Sequence, residues 1–403
     1  MKVIGLMSGT SSDGVDAALV EIRSTRTSRR TRSLGALHVR PLAFGVTPYS
    51  SSLRARLLAA SSHGTVSELC HLNAVLGELL AAAALRVVQK AGLTLSAVDL
   101  IGSHGHTIHH LPHPVFEPEV GWIRSTLQIG EPAVIAERTG VTTVADFRAR
   151  DVAAEGEGAP LAPYVHHLLL GHQQRSRLIV NVGGICNVTY LPAGGNLPDL
   201  IACDTGPGNM VLDALAHRLT KGRQRMDRGG RMAAAGRVDT RMLAHLLAHP
   251  FLRRPPPKST GREEFGEAFL KRVLALQRKL RCSLRDLLTT CCVFTAISVG
   301  SIRRWLPGAI DEVVVAGGGT KNRALMSALA AVFQPVPVKS LEQVGWESKA
   351  FEAIAFACLA YETVRDHCAN VPSATGAKRP VLLGTIVPGG PGWYERLKRR
   401  LSP

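Results

Sequence analysis

The chain has 403 residues, 45% hydrophobic and 20% charged, with a formal net charge of +17. That length exceeds one ordinary core and suits two domains of roughly 150–200 residues each. The balance excludes a disordered or fibrous chain, and aromatics at 5% leave the cores to Leu, Val, Ile and Ala. The basic residues are scattered, densest at Arg23–Arg32 and Arg396–Arg400, and no nucleic-acid-binding module accompanies them. A solvated basic surface is expected, with no nucleic acid as partner. The N-terminus MKVIGLMSGTSSDG is too poor in apolar residues for a signal peptide, and no stretch is expected to cross a membrane. The eight cysteines (70, 186, 203, 282, 291, 292, 358 and 368) form no CxxC pair and lie mostly in apolar segments. Free thiols in a cytoplasmic protein are expected.

In chain order, residues 2–8 (KVIGLMS) read as a buried strand, followed by the polar turn GTSSDG and a second strand from Val15. Residues 23–33 read as a basic hairpin loop, and ALHVRPLAFGV as the returning strand of an antiparallel meander. Residues 50–60 and 66–89 carry apolar residues at helical spacing, the second ending near Gly92, and 98–103 is another strand. The order restarts at Arg177 with strand, Gly-Gly turn and strand (LIVNVGGICNVTYLP), then strand, Gly/Pro loop and helix (LIACDTGPGNMVLDALAHRL). After the Pro-rich stretch RRPPPKSTGREEFG, residues 268–305 are largely helical, and EVVVAGGGTKN opens a last strand, Gly loop and helix. Two halves that each begin with a strand–Gly turn–strand hairpin make an architectural repeat. The predicted domains are 1–140, with 370–403 available to complete it, and 141–370, with a ligand cleft between them.

Three loops combine Gly with hydroxyl or amide side chains at strand ends: GTSSDGVD (9–16), NVGGICNVT (181–189) and VAGGGTKN (315–322). Glycine lets the backbone approach a ligand and leaves N–H groups to donate to phosphate oxygens. Any one loop is ordinary hairpin chemistry. Together they fit a nucleotide polyphosphate, although none is a Walker GxxxxGK[ST] or a GxGxxG opening a Rossmann unit. By itself Asp204, at a strand end in ACDTGPGN, reads equally as an exposed functional carboxylate or as an Asx-turn residue. Asp13 is the better magnesium candidate of the first loop, with Asp16 fixing the hairpin. Glu352 in WESKAFEAIAF reads as a site carboxylate or as a favourable charge at a helix start. Arg148 could equally form a surface salt bridge. His104, His106, His109, His110 and His113 crowd SHGHTIHHLPHP, but neither CxxC nor HExxH accompanies them to favour zinc.

The motifs GTSSDGVD, SHGHTIHHLP, ADFRARDVAAEGEGAPLAP, NVGGICNVTYL, DTGPGNMVLD, PPKSTGREEFG and AGGGTKN stand in the order found in the anhydro-N-acetylmuramic acid kinase family, which the chain resembles from about residue 3 to 388. The resemblance implies an α/β, two-domain actin-like ATPase (ribonuclease H-like) fold. It implies a cytoplasmic kinase that uses ATP and Mg2+ to open a 1,6-anhydro sugar with water and phosphorylate O6, in peptidoglycan recycling. It further implies a homodimer and Asp204 as catalytic base, with Arg148, His106 and Glu352 at the sugar and Asp13 and Glu352 near the metal. ATP falls to Gly9, Thr10, Ser11, Ser12, Asp13, Gly14, Val15, Asp16, Gly183, Gly184, Asn187, Gly317, Gly318, Gly319 and Asn322. The chain departs from the family at His106, where Gln is usual, at Glu155 and Glu157, where Gly and Gln are usual, and at Cys186, where Ala is usual. Two added carboxylates disfavour an anionic sugar, so a levoglucosan-type kinase is the nearest rival. A non-catalytic nucleotide-binding regulator and a zinc hydrolase are more distant ones.

Overall fold

The computed structural model describes residues 1–9, 12–24 and 37–401, so most of the basic hairpin loop, together with Thr10 and Ser11, lies outside the described residues. Two compact units divide the chain: Met1–Leu169 with Lys349–Pro403, and Leu170–Ser348.

In the first unit β1 (Lys2–Ser8), β2 (Gly14–Ser24) and β3 (Leu37–Pro48) form an antiparallel meander. β4 (Leu100–Glu117) pairs parallel with β1, β5 (Gly121–Ile129) returns antiparallel along β4, and β6 (Thr143–Ala145) pairs parallel with β4. In the second unit β7 (Arg177–Val182), β8 (Ile185–Leu191) and β9 (Ile201–Pro207) form the meander. β10 (Glu312–Ala316) pairs parallel with β7, and β11 (Val338–Ser340) pairs parallel with β10. The orders β6-β4-β1-β2-β3 and β11-β10-β7-β8-β9 are the same topology twice. β12 (Thr385–Val387) adds antiparallel to β6.

The central strands are legible in composition. Val3, Ile4 and Leu6 in β1, and Leu178, Ile179, Val180 and Val182 in β7, are buried without alternation. A strand covered on both faces has no solvent side to keep polar. The expected strands of both meanders form.

The unit boundaries fall at 169/170 and 348/349 rather than near 140 and 370. β6 extends the first sheet, so residues beyond 140 stay with it. The helix Ser348–Val364 lies on the same sheet over Gly5 and Gly102. A Cβ on Gly5 would stand 1.7 Å from the Ala353 carbonyl oxygen, and one on Gly102 2.2 Å from that of Phe356. Gly5→Ala is therefore expected to cost about 3 kcal/mol or more, at the upper end of overpacking penalties. A urea midpoint within error of the unsubstituted protein would show that the helix does not pack this closely.

Two helices do have the length and apolarity to cross a membrane, contrary to the expectation: Val66–Lys90 with mean hydropathy 1.4 and Leu284–Trp305 with 1.2. Both pack into the cores. The first buries Leu72, Leu76, Leu80, Ala84 and Val87 at helical spacing, and the Thr65 hydroxyl caps its start by accepting from the Glu68 amide at 3.2 Å. The second buries Leu287, Leu288, Cys291, Cys292 and Phe294. All eight cysteines are free, and only Cys70 and Cys368 are exposed.

Candidate active site

In the second unit three motifs far apart in the chain converge at the ends of β7, β9 and β10. The Val182 carbonyl accepts from Asn209 Nδ2 at 3.0 Å. The carbonyls of Gly183 and Gly184 accept from the amides of Asn209 and Gly208 at 2.8 and 2.9 Å, seating the start of the helix Asn209–Leu219 on the Gly-Gly turn. Gly317 has φ +83°, and a Cβ there would lie 2.5 Å from Asn181 Oδ1 and 2.7 Å from the Val182 carbonyl oxygen. Only glycine suits both the positive φ and that approach. Asn322 ends the third loop by capping the helix Arg323–Phe333, its Oδ1 accepting from the Leu325 amide at 3.1 Å. The segment around Gly230, which carried no signal in the sequence, packs against this cap: a Cβ on Gly230 would meet Asn322 Oδ1 at 2.2 Å.

Strand register places the central carboxylate. Asn181 pairs with Asn187, and Asn187 with Asp204, so three half-buried polar residues form one row across β7, β8 and β9. Residues opposite one another in register share a face of the sheet. Asp204 Oδ2 accepts from the Thr260 amide at 2.8 Å, and the Asp204 amide donates to the Lys258 carbonyl at 2.9 Å. The motif PPKSTG thus grips Asp204 from a segment far along the chain. Lys258 Nζ donates to the Phe251 carbonyl at 3.1 Å and stands 4.6 Å from the centre of the Phe251 ring. Cys186 and Cys203 sit close enough to Asp204 for its charge to add to the burial that raises both thiols, that of Cys203 to about 12.

In the first unit the helix over Gly5 and Gly102 brings Glu352 near Arg148 and Asp16, and Asp16 also feels Asp13. Burial, then the charges of Asp13 and Glu352, push the Asp16 carboxyl up to about 6. Burial raises Glu352 as well, with Arg148 opposing it. Arg148 donates from Nε to His104 Nε2 at 3.0 Å and from Nη1 to the Gly158 carbonyl at 2.8 Å. Its Nη2 has no protein partner among the described residues. Burial lowers its pKa to about 10, against the pull of Glu352 and Asp151.

The clustered histidines separate along β4. His104 and His106 are buried, and His109 and His113 exposed. His110 Nδ1 lies 3.0 Å from the Thr126 hydroxyl, and burial lowers its pKa to about 4. Among the described residues no three His, Cys, Asp or Glu side chains form a metal-holding group. His106 Nδ1 lies 2.9 Å from the Ser8 hydroxyl and Nε2 3.4 Å from that of Ser12, while Tyr49 donates to Ser8 at 2.8 Å. At 2% exposure, His106 lies between two serines, one of them in the first Gly loop. Glu155 faces Lys378, which offsets the added charge noted in the sequence.

The duplicated topology with polar loops at the strand ends is that of the actin-like ATPases, the class that includes many sugar kinases. A model of the anhydro-N-acetylmuramic acid kinase family matches residues 1–389. An anhydro-N-acetylmuramic acid kinase from Caldanaerobacter subterraneus subsp. tengcongensis is 45% identical over 390 residues, covering 95% of this chain and 96% of that protein. One from Bacillus cereus (strain Q1) is 41% identical over 395 residues, covering 96% and 99%. Among solved structures, a ROK hexokinase from Thermus thermophilus aligns at 18% identity and a TM-score of 0.35, over 89% of this chain and 99% of that one. The chain belongs to the anhydro-N-acetylmuramic acid kinase family and is an ATP-dependent sugar kinase.

Proposed function

We propose that the protein phosphorylates 1,6-anhydro-N-acetylmuramic acid at O6 while water opens the anhydro bridge, giving N-acetylmuramic acid 6-phosphate for cell-wall recycling. The observation that carries this reading is Asp204, held by the Thr260 amide at the end of the Asn181–Asn187–Asp204 row. The sequence predicts a strand end for Asp204, but the residue lies in the middle of β9, opposite Asn187. A carboxylate fixed there can take a proton from water as it attacks the anomeric carbon. The C1–O6 bond then breaks, and O6 takes the γ-phosphoryl group of ATP as the bond to the β,γ-bridging oxygen breaks and ADP leaves. Gly183, Gly184, Asn187, Gly317, Gly318, Gly319 and Asn322 supply the nucleotide site of the second unit. Residues 9–16, with Ser12 held by His106, supply backbone and hydroxyl donors to the phosphates. Arg148 and Glu352 bind the sugar, and the free Nη2 edge of Arg148 suits the carboxylate or amide carbonyl of its substituents.

Asp13 and Glu352 are hard oxygen donors, and their charges add to the burial that raises Asp16. That fits Mg2+, which takes one or two carboxylates and completes its shell with phosphate oxygens and water. When bound, the ion would neutralise charge on the transferring phosphate. The reading carries with it a cytoplasmic setting and a homodimer, with neither nucleic acid nor membrane as partner. Transfer of label from γ-labelled ATP to 1,6-anhydro-N-acetylmuramic acid, levoglucosan and simple hexoses tests it. The muramic sugar should be labelled with the highest kcat/KM. Equal or better labelling of levoglucosan would reassign the substrate, and sugar-independent release of phosphate would remove the kinase reading.

A further inference from the structure

Asp151 lies in the short helix Ala149–Ala153 and is fully buried. Its carboxylate takes hydrogen bonds from separate stretches of the chain. Oδ2 accepts from the Gly158 amide at 2.8 Å, and Oδ1 from Asn370 Nδ2 at 2.7 Å and the Thr375 hydroxyl at 2.8 Å. Asn370 is itself fixed, its Oδ1 accepting from the Val381 amide at 2.7 Å. Among the described residues no cation forms an ion pair with Asp151, although the charge of Arg148 acts on it from farther away. Burying a carboxylate among neutral donors is costly, and an apolar side chain would serve packing alone at least as well.

What these bonds hold is Gly158. Its amide donates to Asp151 while its carbonyl accepts from Arg148 Nη1 at 2.8 Å. The second hold on Arg148 is His104, and burial beside Arg148 keeps the His104 pKa well below its usual value, so Nε2 remains an acceptor for Arg148 Nε. A planar guanidinium held at Nε and Nη1 has its remaining edge fixed in direction. The chain of contacts therefore runs from residues 370–375, through Asp151 and Gly158, to the edge of Arg148 that no group among the described residues uses.

We infer that Asp151 is a positioning residue for Arg148: by anchoring Gly158 to Asn370 and Thr375, it aims the free guanidinium edge at the sugar. The inference rests on the assignment of Arg148 to the sugar. It makes Asp151 a determinant of sugar affinity that touches neither sugar nor nucleotide. The C-terminal segment thereby acts on substrate recognition from outside the site.

The test is a double-mutant cycle on the full chain with Asp151→Asn, Arg148→Ala and the pair, reading KM for anhydro-sugar and for ATP. Whichever way the introduced amide turns, its NH2 faces at least one donor, so a hold on Gly158 or on residues 370–375 is lost. Asp151→Asn should raise the sugar KM by about tenfold or more and move the ATP KM by less than about twofold. In the Arg148→Ala background the same change should have less than about a twofold effect on the sugar KM, because residues that act through one another are not additive. A full effect of Asp151→Asn in that background, or a parallel rise in the ATP KM, would overturn the inference while leaving the role of Arg148 intact. An Arg148→Ala enzyme with unchanged sugar KM would instead remove the Arg148 assignment and this inference with it. Where Asp151→Asn does not fold, Thr375→Val deletes one donor while keeping the carboxylate, and the same cycle is read with smaller changes.

Discussion

Replacing Asp204 by Asn is expected to lower turnover by roughly 10²–10⁴-fold, the range assigned to a positioned general base. The substitution preserves size, and the amide oxygen can still accept from the Thr260 amide that now holds Oδ2. What disappears is the capacity to take a proton from water. ATP affinity should change little, because the proposed nucleotide site is built from the glycine loops rather than from Asp204. In ¹⁸O-labelled water the unsubstituted enzyme should place label on the C1 oxygen of the sugar and none in the transferred phosphate. Label in the phosphate would mean that water attacks ATP, and near-normal turnover of the substituted enzyme would end the assignment of Asp204 as base.

Gly317→Val is expected to abolish the stabilisation that a non-hydrolysable ATP analogue confers. An analogue at about 100 times its Kd stabilises the folded state by about 2.7 kcal/mol, seen as a rise in melting temperature. At Gly317 the backbone has φ +83°, and a Cβ would already crowd Asn181 Oδ1 and the Val182 carbonyl. A branched side chain must displace the loop from the end of β7. Gly318 is a weaker probe, since its Cβ would meet only Asn209 Nδ2 at 3.4 Å. The melting temperature without nucleotide reads any loss of fold separately. A full analogue-induced shift in a folded Gly317→Val protein would place ATP elsewhere.

Both predictions rest on residues that were legible before any coordinates. Apolar runs such as KVIGL and LIVNV, the turn residues between them and the helical spacing of residues 66–89 are local signals. They determined the two meanders and the long helix, because periodicity and turn chemistry act over a few residues. The ordered motifs carried the family, and with it Asp204 and the glycine loops. Local signals could not show where a chain returns. Glu352 reaches Arg148 because Gly5 and Gly102 let a helix far along the chain lie against the sheet. The histidine-rich segment resembled a metal site as a string of letters. Strand pairing with β1 and β5 instead buried His104 and His106 and left His109 and His113 in solvent. Asp151 gave no signal, since its donors at 370 and 375 lie more than 200 positions away. Sequence by itself determined which residues can do chemistry and which segments are strands. Only the tertiary structure decided which of them meet, because a hydrogen bond or a close backbone approach depends on distance in space and on the glycine or polar group at the far end of the contact.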